Sequence, residues 1–282
     1  GNLYVTSNSN DKVQRYDGTT GAFIDTFVAL GSGGLASPQG LVFGTDDKLY
    51  VTSQNTDEIL RYEGPFGVSI SCNGKTVEEW VALGYTKFVG TTGDDVLVGT
   101  TGNDIIVSLD GDDDISGKAG DDIICAGDGN NHVHGDDGND VIITGNGDDD
   151  IDGNPGNDVI NSGLGNDYVY GGMGDDIIDA GDGENYVEGN PGADVITTGS
   201  GNDKIYGGDG ADTITAGSGS NYIEGNELAD TISSGDDDDI IYGGTGDDII
   251  NAGDGNNYIE GQQGSDHITT GSGDDEIYGG NG

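Results

Sequence analysis

Residues 88–123 read FVGTTGDDV LVGTTGNDI IVSLDGDDD ISGKAGDDI, which is one nine-residue pattern written four times. The pattern continues without insertion or deletion through twenty-one complete copies, and a partial copy, IYGGNG, ends at Gly282. Position 1 is aliphatic in every copy after Phe88, and position 6 is glycine except at Leu228 and Asp237. Position 8 is always Asp or Asn. A short fixed period in this many copies predicts a solenoid.

Each copy divides into a short strand and a turn. Positions 9, 1 and 2 are rich in Ile, Val, Tyr and Thr, which favour a strand, and alternation directs position 1 to one side. Positions 3 to 8 are rich in Gly, Asp and Asn, which tolerate the positive φ of a tight turn. Two copies therefore make one coil with a strand on each side, and the position-1 side chains of the two sheets meet in a thin core.

The charge of the repeat region requires a cationic partner. Residues 88–282 hold 44 of the 54 acidic residues and two of the eight basic ones, a net charge of −42. Such a narrow, highly charged rod repels itself. Calcium accepts six to eight oxygen ligands in a tolerant geometry, whereas magnesium requires a stricter octahedron and zinc prefers Cys or His, which the turns lack. The sequence thus predicts multiple bound Ca²⁺ ions.

Three copies carry a family resemblance. GGMGDDIID (171–179), GGDGADTIT (207–215) and GGTGDDIIN (243–251) resemble the GGxGxDxUx nonapeptide of RTX (repeats-in-toxin) proteins. The resemblance covers about two-thirds of the chain. It implies an all-β fold, a parallel β-roll with one calcium between each pair of loops stacked on the same edge. It also implies secretion, and folding when the chain meets extracellular calcium.

The resemblance further implies that the position-8 carboxylates are the side-chain calcium ligands, with loop carbonyls completing the shell. These residues are Asp95, Asp104, Asp113, Asp122, Asp140, Asp149, Asp158, Asp167, Asp176, Asp194, Asp203, Asp212, Asp230, Asp239, Asp248, Asp266 and Asp275. Asn stands at position 8 in four odd-numbered copies, hence on one edge: Asn131, Asn185, Asn221 and Asn257. Because Asn has no charge, we expect weaker sites there. The copies containing Leu228 and Asp237 depart from the family pattern.

Residues 1–87 carry a second, looser repeat. LYVTSNSNDKVQRYDG (3–18) aligns with LYVTSQNTDEILRYEG (49–64), and FVALG (27–31) returns as WVALG (80–84). Alternating strands at this spacing resemble NHL-type β-propeller blades. About two blades cannot close a ring, so we expect them to pack on the roll, another subunit or further residues. The predicted domains are therefore a propeller-like segment, 1–87, and the roll, 88–282.

The two cysteines, Cys72 and Cys125, lie one in each predicted domain. In an extracellular protein they favour a disulfide between the two segments. Two unrelated thiols are the alternative, and the sequence leaves both open.

The outer faces of the two predicted sheets differ. One carries a ladder of tyrosine and glutamate, including Tyr186 and Glu188. The other carries an apolar stripe at position 9 that begins at Ile105 and reaches Val195. An exposed stripe of this length favours association, so we expect it to be covered.

Other functional classes have little support. The sequence contains neither HExxH nor GxSxG, so we predict no enzyme, and a chain of net charge −46 is a poor partner for nucleic acid. No run of 18 apolar residues predicts a membrane span. Gly1 begins within a pattern and Gly282 stops within a copy, so we expect the natural polypeptide to be longer, or processed, at both ends.

These observations predict a secreted or cell-surface, calcium-binding β-roll that folds on calcium binding and serves as a structural or adhesive element. We also expect copies to join head to tail into a fibre, because the ends of a roll present unpaired strands. The alternative is a calcium-dependent accessory or secretion domain of a larger secreted enzyme or ligand-binding propeller protein.

Overall fold

A computed structural model describes residues 2–7, 12–17, 23–28, 38–43, 49–53, 58–62 and 71–282. The chain divides into two compact units, residues 1–70 and residues 71–282. The division predicted at residue 87 stays a prediction, although residues 71–87 belong to the same compact unit as the roll.

The described residues of the first unit form two antiparallel three-stranded sheets. One sheet consists of β1 (Asn2–Ser7), β2 (Lys12–Asp17) and β3 (Phe23–Val28), and the other of β4 (Pro38–Phe43), β5 (Leu49–Ser53) and β6 (Glu58–Tyr62). Each LYVTS strand pairs with the strand that follows it, and the register is the same in both copies: Leu3 is paired with Tyr16, and Leu49 with Tyr62. Each repeat thus forms the same hairpin, and the propeller-blade assignment itself stays a prediction.

The second copy of the VALG motif does not form a strand, which corrects the expectation of alternating strands there. Phe27 and Val28 end β3, whereas Trp80 lies in the helix α1 (Val77–Ala82). The reason is local, because Thr76 caps this helix. Its hydroxyl accepts from the Glu79 amide, and the Glu79 carboxylate accepts from the Thr76 amide. This reciprocal capping box starts a helix that the first copy cannot start.

Residues 86–282 form a parallel roll of two facing 11-stranded sheets. Strands alternate between the sheets, so that each strand pairs with the strand two places along the chain. Sheet 1 contains β9 (Thr86–Val89), β11 (Asp104–Val107), β13 (Ile123–Gly127), β15 (Val141–Thr144), β17 (Val159–Asn161), β19 (Ile177–Asp179), β21 (Val195–Thr197), β23 (Thr213–Thr215), β25 (Thr231–Ser233), β27 (Ile249–Asn251) and β29 (His267–Thr269). Sheet 2 contains β10 (Val96–Val98), β12 (Asp114–Ser116), β14 (His132–His134), β16 (Asp150–Pro155), β18 (Tyr168–Met173), β20 (Tyr186–Pro191), β22 (Lys204–Asp209), β24 (Tyr222–Glu227), β26 (Ile240–Thr245), β28 (Tyr258–Gln263) and β30 (Glu276–Tyr278).

The core is the thin aliphatic layer that the period predicts. Neighbouring strands pair with an offset of 18 residues, as Ile106 with Ile124 and Ile124 with Ile142. The position-1 residues from Ile106 to Ile259 form one continuous cluster and are at most 1 % exposed. The predicted fold class, an all-β parallel β-roll, is confirmed.

A short capping segment, residues 71–85, precedes the first strand of the roll. The sequence predicts a roll that begins at Phe88, without this segment. The hairpin of β7 (Ser71–Cys72) and β8 (Lys75–Thr76) leads into α1, which packs against β9 and β11. Trp80 is buried and donates its indole proton to the Cys72 carbonyl at 2.9 Å. Cys72 is disulfide-bonded to Cys125 of β13, with Cα atoms 6.0 Å apart. Of the two readings that the sequence left open, the structure contains the disulfide.

The capping segment packs where the apolar stripe of sheet 1 begins. Ile105, Val107 and Ile123 are buried, in agreement with the expectation that the stripe is covered. Farther along, cover is absent within residues 71–282: Val159 is 42 % exposed and Ile177 is 52 % exposed. The expectation therefore holds only for the first coils.

Candidate metal sites at the two edges of the roll

The turns of the roll lie in two rows, one along each edge. The loops that lead from sheet 2 to sheet 1 (99–104, 117–122 and every 18 residues to 261–266) begin with glycine, and we call this row the Gly edge. The loops that lead from sheet 1 to sheet 2 (90–95, 108–113 and every 18 residues to 270–275) begin with Ser, Thr or Ala after the first one. We call this row the Ser/Ala edge.

On both edges, one oxygen of the position-8 side chain joins consecutive coils. The Asp122 backbone amide donates to Asp140 Oδ1 at 2.7 Å, and the Asp140 amide donates to Asp158 Oδ1 at 2.7 Å. The same bond recurs on the Ser/Ala edge, where the Asn131 amide donates to Asp149 Oδ1 at 2.7 Å. Between residues 104 and 257 these side chains are at most 2 % exposed. The predicted ligand residues are therefore brought into two buried columns.

The second oxygen of the buried carboxylates has no hydrogen-bond partner. This holds for Oδ2 of Asp113, Asp122, Asp140, Asp149, Asp158, Asp167, Asp176, Asp194, Asp203, Asp212, Asp230, Asp239, Asp248 and Asp266. A buried, unpaired carboxylate oxygen is costly, because water no longer solvates it. So many in regular array indicate that the folded roll has a further cationic partner.

A backbone carbonyl from the next coil adjoins each unpaired oxygen on the Gly edge. A methyl group placed on Gly117 would lie 2.5 Å from Asp122 Oδ2 and 2.7 Å from the Gly135 carbonyl oxygen. The same placement on Gly171 would meet Asp176 Oδ2 at 2.5 Å and the Gly189 carbonyl oxygen at 2.8 Å. The absence of a side chain at position 3 thus leaves a carboxylate oxygen and a carbonyl oxygen facing one small space.

Burial makes these carboxylates unfavourable as free anions. It raises the pKa of Asp140 to about 8 and the pKa of Asp122 and of Asp158 to about 7, although backbone hydrogen bonds oppose the shift. Neighbouring position-8 carboxylates raise the same pKa values further. A divalent cation between the coils would favour the charged form.

The donor set fits calcium. Within residues 71–282, no three Asp, Glu, His or Cys side chains converge on one point. An ion there would therefore take one or two carboxylates and several backbone carbonyls. Calcium accepts such an all-oxygen set of irregular geometry, whereas zinc requires nitrogen or sulfur ligands.

The Ser/Ala edge differs at position 3, a difference that our sequence reasoning missed. Ser108 Oγ donates to the Ala126 carbonyl at 2.7 Å, and Thr144 Oγ1 donates to the Ser162 carbonyl at 2.6 Å. The corresponding carbonyl on the Gly edge faces the open space described above. The signal was present in the sequence, since position 3 is glycine in every even-numbered copy and Ser, Thr or Ala in every odd-numbered copy but the first.

The two copies that depart from the glycine rule keep the loop geometry. Leu228 and Asp237 adopt φ of 73° and 91°, so they take the left-handed conformation that glycine takes elsewhere. Asp230 Oδ1 still accepts from the Asp212 amide at 2.8 Å, and Asp239 Oδ1 from the Asn221 amide at 2.8 Å.

Comparison with known protein families shows whether this acidic solenoid belongs to a family of known binding properties. The RTX calcium-binding nonapeptide repeat matches residues 89–124, 126–160, 152–187, 188–223, 224–259 and 251–282. The chain belongs to this family. The RTX repeat is a calcium-binding motif, so this chain is a calcium-binding β-roll protein. No curated protein matches the chain.

The described part of the chain shows two further features that bear on function. No helix in it is long and apolar enough to cross a membrane. The tyrosine–glutamate ladder predicted for sheet 2 is present: the Tyr186 hydroxyl donates to Glu188, and the Tyr186 and Tyr206 ring centroids are 5.5 Å apart.

Proposed function

We propose that this RTX roll is an extracellular structural or adhesive element whose position-8 carboxylates bind a row of calcium ions and make folding depend on calcium. The observation that carries the proposal is the set of fourteen buried Oδ2 atoms without a hydrogen-bond partner. These atoms belong to a region of net charge −42. Calcium entry neutralises this charge at the point where the fold has buried it.

The proposed ligands are the position-8 Asp residues named above, with carbonyls such as that of Gly189 completing each shell. From Asp113 onward, each position-8 side chain accepts a hydrogen bond from the backbone amide of the loop in the preceding coil. An ion held there would therefore link consecutive coils as well as neutralise them. The roll would therefore form where calcium is abundant, as it is outside the cell.

Isothermal titration of the calcium-depleted full chain tests the metal assignment. We expect multiple calcium ions to bind with release of protons, because the carboxylates with a pKa of about 7 or 8 must lose theirs. Magnesium serves as the matched control and should bind far more weakly, since its octahedral geometry is stricter. Equal binding of both ions would contradict a built calcium site and indicate a diffuse counterion atmosphere.

We further propose that copies of the roll associate into fibres. Beyond the first coils, the apolar stripe of sheet 1 is exposed within residues 71–282, at 42 % for Val159 and 52 % for Ile177. An exposed apolar row favours association with another surface. A second copy of the roll would cover it.

Sedimentation and electron microscopy in calcium test this assembly. We expect rods whose length grows with protein concentration and which dissociate in chelator. Monomers alone across a wide concentration range would overturn the fibre and favour a roll inside a larger secreted protein.

A further inference from the structure

The two edges of the roll are built for different chemistry. On the Gly edge, Oδ2 is unpartnered in Asp122, Asp140, Asp158, Asp176, Asp194, Asp212, Asp230, Asp248 and Asp266, nine residues in succession. Each of these nine residues faces a carbonyl across a position-3 glycine. On the Ser/Ala edge, Asn at position 8 interrupts the row. Oδ2 is unpartnered there too, in Asp113, Asp149, Asp167, Asp203 and Asp239, but none of these five has a position-3 glycine beside it.

Asn on the Ser/Ala edge occurs only where position 3 is alanine. The four pairs are Ala126 with Asn131, Ala180 with Asn185, Ala216 with Asn221, and Ala252 with Asn257. In the other later loops, position 3 is Ser or Thr and position 8 is Asp. The two positions therefore vary together, and both alternatives place a side-chain group where the Gly edge has none.

In all four Ala loops the Asn amide donates to a carbonyl of its own loop, and at Asn221 it also reaches the carbonyl of the next coil that a cation would need. Asn221 Nδ2 donates to the Gly219 carbonyl at 2.9 Å and to the Ser234 carbonyl at 3.3 Å. Ser234 stands at position 3 of the next coil, so its carbonyl is the counterpart of the carbonyl that faces Asp230 Oδ2 on the Gly edge. An NH₂ group supplies positive hydrogens to these oxygens, so that no ion is required.

In the Ser and Thr loops, the hydroxyl takes the same role. Thr198 Oγ1 donates to the Ala216 carbonyl at 2.7 Å, and Ser162 Oγ donates to the Ala180 carbonyl at 3.1 Å. The first loop is the exception, with Gly90 at position 3, and there Asp95 Oδ2 already accepts from the Thr91 amide at 2.6 Å. A carbonyl oxygen that already accepts a hydrogen bond, as those of Ala216 and Ala180 do, is a weaker calcium ligand than a free one.

We propose that calcium fills only the Gly edge, and that the Ser/Ala edge is a metal-free row held together by hydroxyl and amide hydrogen bonds. The inference rests on the proposed function and narrows it to one side of the rod. The roll would then have one edge fixed by ions and one edge fixed by side chains. Its Ser/Ala edge would keep its structure at any calcium concentration that supports folding.

Equilibrium dialysis of the full chain, with calcium counted per chain at saturation, tests this inference. We expect about nine ions, one for each unpartnered Gly-edge carboxylate. Fourteen ions or more would show that the Asp residues of the Ser/Ala edge bind as well, which would overturn the inference and leave the proposed function standing. No bound calcium would instead overturn the proposed function itself.

Matched variants show which loops bind the calcium ions. Asn221→Asp alone should add no ion, because the Ala216 methyl group still occupies the space. Ala216→Gly combined with Asn221→Asp recreates a Gly-edge loop and should add one. Gly171→Ala should remove one, because its methyl group would meet Asp176 Oδ2 and the Gly189 carbonyl. An added ion in Asn221→Asp alone would contradict the role of position 3. If a variant fails to fold, the number of calcium ions bound by the unmodified chain still tests the inference.

Discussion

At the scale of single residues, position 8 divides its two oxygens between two tasks. Oδ1 accepts a hydrogen bond from a backbone amide of the neighbouring coil and so belongs to the fold, whereas Oδ2 of residues such as Asp194 has no hydrogen-bond partner, and we propose that it binds calcium. Asn can perform the first task but not the second, since its other atom is a donor. Fold and calcium binding can therefore be separated by substitution.

Asp194→Asn should keep the Oδ1 acceptor for the Asp176 amide and lose the charged oxygen. We expect the calcium-loaded roll to lose about 2 kcal/mol of stability, the typical contribution of a hydrogen bond or contact to a charged group. Asp175→Asn is the matched control, because it removes the same charge from an exposed position-7 side chain. Thermal unfolding in calcium measures both, and equal effects would contradict a site at Asp194.

Leu228 carries strain that its neighbours avoid. Its φ is 73° and its side chain is 60 % exposed, so it gains little from packing while holding a left-handed backbone. Leu228→Gly should stabilise the roll by about 1 kcal/mol. Leu228→Ala keeps the strained backbone and should leave stability unchanged. Denaturant unfolding in calcium compares them, and a loss of stability in the glycine variant would show that the Leu228 side chain makes a needed contact.

At the scale of elements, the nine-residue period predicts nearly everything within residues 88–282. It gives the strand at positions 9, 1 and 2, the buried position 1 and the 18-residue pairing. Each of these follows from alternation and from the turn tendency of Gly and Asp. The capping segment was not predicted, because α1 depends on the reciprocal bonds of Thr76 and Glu79 in a sequence whose earlier copy is a strand. The packing of Trp80 and the Cys72–Cys125 pairing likewise depend on tertiary contact.

The site was predictable in part for the same reason. Period and composition place the position-8 carboxylates in rows. Whether Oδ2 lies beside an open space depends on the side chain at position 3 of the same loop and on the position-3 carbonyl of the next coil. Seeing Asn221 as a donor to the Ser234 carbonyl requires coordinates, since these residues are thirteen apart in the chain.

The disulfide holds the capping segment on the roll. Cys72 and Cys125 are 53 residues apart, so reduction should cost about 2–4 kcal/mol by restoring freedom to the unfolded chain. We expect the amides of α1 to exchange faster after reduction, while amides of distant strands such as β21 exchange as before. Hydrogen exchange with and without reductant measures this. Unchanged protection in α1 would show that the packing of Val77 and Trp80 is sufficient alone.

At the scale of the whole molecule, the pH dependence of the calcium-free roll follows from its raised pKa values. The pKa of a buried carboxylate such as Asp158 or Asp194 is about 7, above the ordinary value of 3.8 expected in the unfolded chain. A raised folded-state pKa contributes stability that is complete below the unfolded pKa and is lost as pH rises through the folded one. The calcium-free chain should therefore resist unfolding better at pH 5 than at pH 8, which the strand signal in circular dichroism measures. A stronger strand signal at pH 8 than at pH 5 would contradict the burial of these groups.

The most direct test of the central claim is the far-ultraviolet circular dichroism of the full chain at pH 8, which lies above the raised pKa of about 7 of buried carboxylates such as Asp122 and Asp158. In chelator, the net charge of −42 in residues 88–282 is uncompensated, so we predict that the strand signal of the roll is replaced by that of coil. Addition of excess calcium should restore the strand signal. A strand signal that stays unchanged in chelator would contradict the claim that calcium on the buried carboxylates holds the roll together.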